Sequence, residues 1–203
     1  RDAKGNLAVV LHMLGNHGPA YFKRYPAAFR RYTPTCDTGE LRECSREQVV
    51  NAYDNAIGYL DDVLAEVIAR FDQLQGERYL LITGDHGQLL GEGGRWGHND
   101  LLPQVAEVPV MVLAREAPEA ALESLRQEQW ISHHEAGLWL AERLGQRVEN
   151  PNRVAGEHFV QGKQLFGDNM IQRVRETPAG LVFDEPRLLS RWLRDLGEAP
   201  FTP

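Results

Sequence analysis

The stretch from Tyr79 to His98, YLLITGDHGQLLGEGGRWGH, constrains the fold more than any other part of the chain. The apolar run Tyr79-Leu80-Leu81-Ile82-Thr83 has the length and residue types of a buried strand. It stops at Gly84-Asp85-His86-Gly87, where glycines permit sharp turns and close approach of the backbone to a ligand. A glycine-rich loop then delivers His98. A second apolar run, Leu7 to Leu11, repeats the arrangement, since it leads through His12-Met13-Leu14 into Gly15-Asn16-His17-Gly18. In open α/β sheets, ligands lie outside the carboxyl ends of the strands. Two strands that each finish in Gly-x-His-Gly therefore aim two imidazoles at one crevice. The fold class implied is α/β, with the strands forming a largely parallel sheet flanked by helices.

The other elements fit around that sheet. Ser45-Arg46-Glu47-Gln48 is a capping-box signature, and the helix it opens is expected to run to about Leu74, with Gly76 as its stop. Val49, Tyr53, Ala56, Ile57, Leu60, Leu64, Val67, Ile68 and Phe71 recur at helical spacing and place one face on the sheet. Asn51, Asp54, Asn55, Asp61 and Asp62 read as the solvated face. Val108 to Leu113 is a further strand, Glu119 to Arg126 a short helix, and Ser132 with Glu135 caps another helix that turns Leu138, Leu140 and Leu144 inward. From residue 150 to 203 the texture changes to short strands at Glu157–Val160, Met170–Val174 and Gly180–Phe183, followed by an amphipathic helix over Pro186–Leu196. This tail reads as a small antiparallel strand-helix appendage of the same domain, so residues 1–203 are expected to form one domain.

Composition narrows the function classes. A chain of 203 residues with 42% hydrophobic content can bury a substantial core. Its net charge of −7 argues against nucleic acid and against broad attraction to an anionic membrane. No apolar stretch approaches the roughly 20 residues a membrane span requires. The first residues, Arg1-Asp2-Ala3-Lys4-Gly5-Asn6, lack a methionine and read as a cut or processed end. Cys36 and Cys44 flank a short polar loop. Their spacing fits a disulfide in an oxidising compartment or two unrelated thiols, and it fits a metal pair least well. Residues 20–44 mix Tyr21, Phe22, Tyr25, Phe29 and Tyr32 with Lys23, Arg24, Arg30 and Arg31. That loop is read first as a surface loop pinned by its aromatics, and second as a basic-aromatic wall for an anionic substrate.

The chemistry concentrates at the strand ends. Asp85 and His86 offer the oxygen and nitrogen donors that suit zinc. His17, His86 and His98 all lie in glycine-rich segments. A metal beside imidazoles suits activation of a phosphoryl or sulfuryl group. His12 reads as buried support. His133 and His134 are read as structural, because neighbouring helical residues point about 100° apart and rarely share an ion. Two protein ligands are too few for a usual zinc site, and no threonine of the chain sits at a helix start after a strand.

Three segments, HMLGNHGPAYFKRYPAAFRRYTPTCDTGELREC, VVNAYDNAIGYLDDVL and GDHGQLLGEGGRWGH, closely resemble the periplasmic catalytic domain of bacterial phosphoethanolamine transferases. These include the lipid A-modifying and colistin-resistance enzymes within the alkaline phosphatase and sulfatase superfamily. The resemblance spans roughly residues 7 to 145 and keeps motif order and spacing. It implies a layered α/β sandwich and bound zinc. Asp85 and His86 fall on the family's zinc pair, His17 and His98 on its phosphate-contacting histidines, and Cys36 and Cys44 on its disulfide. It further implies a threonine nucleophile that takes phosphoethanolamine from phosphatidylethanolamine and passes it to lipid A or another envelope glycan. The setting implied is the periplasmic face of the inner membrane, with an anchor in an N-terminal region upstream.

The family usually reads Ser-Asp-His-Gly-Glu-Ser-Leu-Gly-Glu, whereas this chain has Gly84, Gln88 and Leu89 at the departing positions. Its threonine nucleophile, glutamate ligand and substrate lysine fall upstream of residue 1. The chain is thus expected to be the C-terminal part of the catalytic domain, inactive alone and prone to self-association through an unpaired apolar edge. A sulfatase, a phosphoglycerol transferase and a non-catalytic binding domain of the same fold are the alternative readings.

Overall fold

A computed structural model describes residues 5–126, 129–146, 156–163 and 169–195. The chain divides into two compact units, one of His12–His98 with Glu107–Pro118, the other of Arg1–Leu11, Asn99–Ala106 and Glu119–Pro203.

The first unit is built on helix α1, Arg46–Asp72. Ser45 Oγ accepts from the Gln48 backbone N–H at 3.2 Å, and Gln48 Oε1 accepts from the Ser45 backbone N–H at 2.8 Å. Satisfying these otherwise orphaned donors is worth about 1 kcal/mol and sets where the helix starts. The buried Val49 and Ala52 lie against a loop as well as against strand residues. They pack with Tyr21, Cys36 and Leu41 of the preceding loop, joined by Cys44, Tyr53, Leu90 and Trp96. The helix face expected to cover a sheet thus also holds down residues 21–44. Three 3₁₀ turns, Tyr21–Lys23, Ala27–Phe29 and Leu41–Glu43, shape that loop. The Cys36–Cys44 disulfide closes its end with a Cα–Cα distance of 5.7 Å.

Asn55 corrects the sequence reading most sharply. Assigned there to the solvated face, it is 1% exposed. Its Oδ1 accepts from the backbone N–H groups of Arg31 (2.8 Å) and Tyr32 (2.9 Å), and its Nδ2 donates to Tyr32 O at 2.9 Å. One amide thereby satisfies three backbone groups of a loop that has no ladder of its own. Loop partners decide such burial, and helical periodicity does not encode them.

Strand β1, Arg78–Thr83, is followed by the short strands β2, Leu89–Leu90, and β3, Trp96–Gly97, and then by β4, Val110–Arg115. The expected largely parallel sheet does not form among the described residues. β1 pairs antiparallel with β4, with Thr83 opposite Val110, and β2 pairs antiparallel with β3. An apolar run specifies burial but not strand direction. The segment between Thr83 and Val110 accordingly leaves and re-enters at one end of the β1–β4 pair. The expected strand Leu7–Leu11 is not assigned as a strand, and Val9 and Val10 are 70% and 88% exposed. It has no neighbour among the described residues to pair its backbone, and without one its apolar, β-branched character gains nothing.

In the second unit, α2 (Pro103–Ala106) and α3 (Glu123–Arg126) are single turns. α4, His133–Arg143, begins at the expected capping box of Ser132 and Glu135. Its buried residues are Ala136 and Trp139, with Trp139 Nε1 donating to Ala121 O at 2.8 Å. Leu140 and Leu144, expected inside, are exposed. The tryptophan is the larger apolar body, and it sets the inward face. β5 (Glu157–Lys163), β6 (Asn169–Thr177), β7 (Gly180–Phe183) and β8 (Arg187–Leu188) form an antiparallel sheet with β6 central. Pro186 precedes β8, so the last helix, α5, begins later than expected and covers Leu189–Asp195. No helix of the described residues is long and apolar enough to cross a membrane.

Candidate functional site

The histidines named from the two glycine turns and the glycine loop meet in the first unit. His17, His86 and His98 each present a ring nitrogen within 4.8 Å of the others. His86 stacks on His98 with ring centroids 4.0 Å apart, and His17 sits edge-on to both, at 5.9 Å and 5.2 Å.

The two Gly-x-His-Gly turns orient their rings in the same way. His17 Nδ1 lies 2.7 Å from the carbonyl of Gly18, and His86 Nδ1 lies 2.8 Å from the carbonyl of Gly87. A carbonyl only accepts, so each Nδ1 carries the proton. Nε2 is left as the free, ligand-competent nitrogen. The carbonyl that fixes each ring belongs to the glycine directly after it, which is why the motif repeats as a unit. In the first turn, the His17 backbone N–H also donates to Leu14 O at 3.2 Å. Gly18 is buried, and a Cβ there would lie 2.6 Å from Tyr21 Oη, so only glycine fits beneath this ring. In the second, Gly84 has ordinary room beside Val108.

His98 differs from both. Its Nδ1 is buried with no hydrogen-bond partner. Burial, followed by the neighbouring His86 and His17, lowers its pKa below the ordinary imidazole value. A buried ring nitrogen without a partner is costly unless a ligand meets it. Asp85, the other residue assigned to metal, stands apart from the trio. Its carboxylate is 81% exposed, with Oδ2 3.8 Å from His86 Nε2. The donor chemistry suits zinc, which takes imidazole nitrogen and carboxylate oxygen. The grouping in space is three histidines, with the Asp85 carboxylate beside His86.

The remaining candidates lie elsewhere. His12 is exposed and does not serve as buried support, and His133 and His134 are exposed on the first turn of α4. None of the three belongs to a metal-capable group among the described residues. Arg24, read from the sequence only as one cation of a basic-aromatic loop, bonds the backbone of the site, since its Nε donates to His17 O at 2.7 Å. Its position in a basic loop seven residues after His17 was the only sequence signal.

Phosphoethanolamine transferase EptA of Escherichia coli (strain K12) is 43% identical over 99 residues, 48% of this chain and 18% of that protein. Phosphatidylethanolamine transferase Mcr-1 of Escherichia coli is 43% identical over 96 residues, 46% of this chain and 18% of that protein. The crystal structure of the C-terminal periplasmic domain of phosphoethanolamine transferase EptC from Campylobacter jejuni superposes with a TM-score of 0.50 at 35% identity. That match covers 57% of this chain and 39% of the domain. The chain thus spans under a fifth of the length of these curated relatives. The Sulfatase family model matches residues 1–136, so the chain belongs to the Sulfatase family and is related within it to the periplasmic domain of phosphoethanolamine transferases.

Proposed function

We propose that this chain supplies the histidine side of the active site of a zinc-dependent phosphoethanolamine transferase. The convergence of His17, His86 and His98 carries the reading, because three imidazoles around one space suit a phosphoryl group beside a metal. In this reading the donor is phosphatidylethanolamine and the acceptor is a lipid A or envelope-glycan phosphate. The threonine nucleophile comes from outside residues 1–203, which are one part of the catalytic domain. The reaction takes place at the periplasmic face of the inner membrane.

Asp85 and His86 would hold the zinc ion, which when bound polarises the phosphoryl oxygens. His17 and His98 face the transferring phosphate. Their Nδ1 environments differ, and so do their duties. His17, with Nδ1–H held by Gly18 O, turns Nε2 to the phosphate and as imidazolium donates a proton to the departing oxygen. His98, held neutral by burial, orients the group.

The test is expression of the intact protein in a Gram-negative host, with mass spectrometry of its lipid A. Addition of phosphoethanolamine groups is expected for the wild type and loss of them for His17→Ala and His98→Ala. Unmodified lipid A in every case, with the protein correctly inserted, would refute this acceptor. The 203-residue chain by itself is expected to leave a phosphatidylethanolamine donor untouched.

A further inference from the structure

The histidine cluster brings three ring nitrogens within 4.8 Å of one another. His17 and His86 each commit Nδ1–H to a glycine carbonyl, which leaves Nε2 of each ring for a ligand. Asp85 adds negative charge beside it. A guanidinium is the side chain best matched to paired phosphate oxygens, and Arg24 is bonded to the backbone of this cluster.

Arg24 caps the 3₁₀ turn Tyr21–Lys23, with its backbone N–H donating to Tyr21 O at 2.8 Å. Its Nε donates to the carbonyl of His17 at 2.7 Å. Of the bonds holding the His17 turn, this one comes from beyond the turn itself. Other arginines of the same unit end on carboxylates: Arg30 on Asp37, Arg46 on Glu92, Arg78 on Glu116 and Arg115 on Asp72. Arg24 has no carboxylate within ion-pair distance among the described residues, and its only side-chain bond uses one of its five N–H donors. The two terminal nitrogens keep four donors in the planar fork that matches two oxygens of a phosphate. Lys23 is adjacent in sequence, but its ammonium lies over the Phe22 ring, 5.5 Å from the centroid.

We infer that Arg24 is a phosphate-binding and positioning residue of this site. Its Nε holds the His17 backbone while its terminal nitrogens engage the oxygens of the phosphate that His17 and His98 face. The inference rests on the proposed phosphoryl-transfer reading and adds a residue to it.

The experiment is titration of the protein with inorganic phosphate, followed by ³¹P line broadening and by imidazole ¹H–¹⁵N correlations. The comparison covers wild type, Arg24→Lys, Arg24→Gln and His98→Ala. Arg24→Gln is expected to weaken phosphate binding about ten- to a hundredfold, the range for a charge-assisted hydrogen bond. Arg24→Lys keeps the charge but loses the fork, and is expected to recover only part of that loss. Unchanged phosphate affinity in Arg24→Gln, with affinity lost in His98→Ala, would overturn the role of Arg24 and leave the phosphate-site reading standing. So would full recovery by Arg24→Lys, because a charge alone would then suffice. No phosphate-dependent change in the wild type would overturn both. Should Arg24→Gln fold poorly, Arg24→Lys decides by the same affinity comparison.

Discussion

The two His-Gly turns perform the same local task on different foundations. Each locks an imidazole through Nδ1 on the carbonyl of the next glycine. The His86 turn hangs from the end of β1, whose full-length pairing with β4 fixes it through a regular ladder. The His17 turn has no strand behind it in the described structure. It rests on Tyr21, on the loop packed against α1, and on Arg24. A ladder distributes support over many equivalent bonds, whereas a loop concentrates it in a few side chains. Substitutions around His17 should therefore cost more than equivalent ones around His86.

The largest effect is expected from Asn55→Ala. It would strip partners from two part-buried backbone N–H groups and one carbonyl that hold the loop on α1. A loss of about 3 kcal/mol is expected from three hydrogen bonds lost together at about 1 kcal/mol each, measured as the urea unfolding free energy. A loss below about 1 kcal/mol would mean that the loop finds support elsewhere. Reducing the Cys36–Cys44 bond should follow closely, at about 2.5 kcal/mol for a loop of this length. It should perturb the His17 resonances more than those of His86.

The glycines give the most direct contrast. Gly18→Ala pushes a Cβ into the Tyr21 ring, which is 1% exposed and cannot easily withdraw. Overpacking of this kind costs about 1–3 kcal/mol. Gly84→Ala meets Val108 at 3.5 Å, ordinary contact, and should change stability by less than about 1 kcal/mol. Equal costs at the two positions would erase the distinction drawn between the turns.

The smallest effect is in pH dependence. Burial, reinforced by Tyr53 and partly opposed by Gln88, pushes the Tyr21 phenol up to about 12. The folded state thus favours the neutral phenol more than the unfolded chain does, whose tyrosines ionise near 10. The stability Tyr21 contributes is complete below pH ~10 and is lost as pH rises through about 12. Ultraviolet titration at alkaline pH should show one tyrosine ionising late, together with loss of structure around His17. Ionisation of Tyr21 along with the exposed tyrosines would contradict its burial.

Much of this architecture is legible in the sequence where a short pattern has a single physical meaning. Ser45 with Gln48 and Ser132 with Glu135 each mark a helix start, and both capping boxes form. The apolar run into Gly84 marks β1, and the His-Gly repeat marks the turns that bring His17, His86 and His98 together. Partners distant in sequence are harder to read. Leu7–Leu11 has strand composition, but its pairing depends on a neighbour that the pattern does not name. The direction of β4 relative to β1 is likewise not written in an apolar run. Trp139 and Ala136 displaced Leu140 and Leu144 from the inner face of α4 because shape, and not hydrophobicity alone, decides which residues fit. Arg24 is legible only as one cation of a basic-aromatic loop, because its bond to the His17 carbonyl depends on how that loop folds.

The most direct measurement is a Zn²⁺ titration of the protein, observed through imidazole ¹H–¹⁵N correlations. His17 and His86 are expected to begin as Nδ1–H tautomers, and the resonances of His17, His86 and His98 are expected to move together at one zinc midpoint, while those of His12, His133 and His134 stay still. Independent midpoints for the three, or His17 and His86 found with the proton on Nε2, would contradict a single site built by the two His-Gly turns.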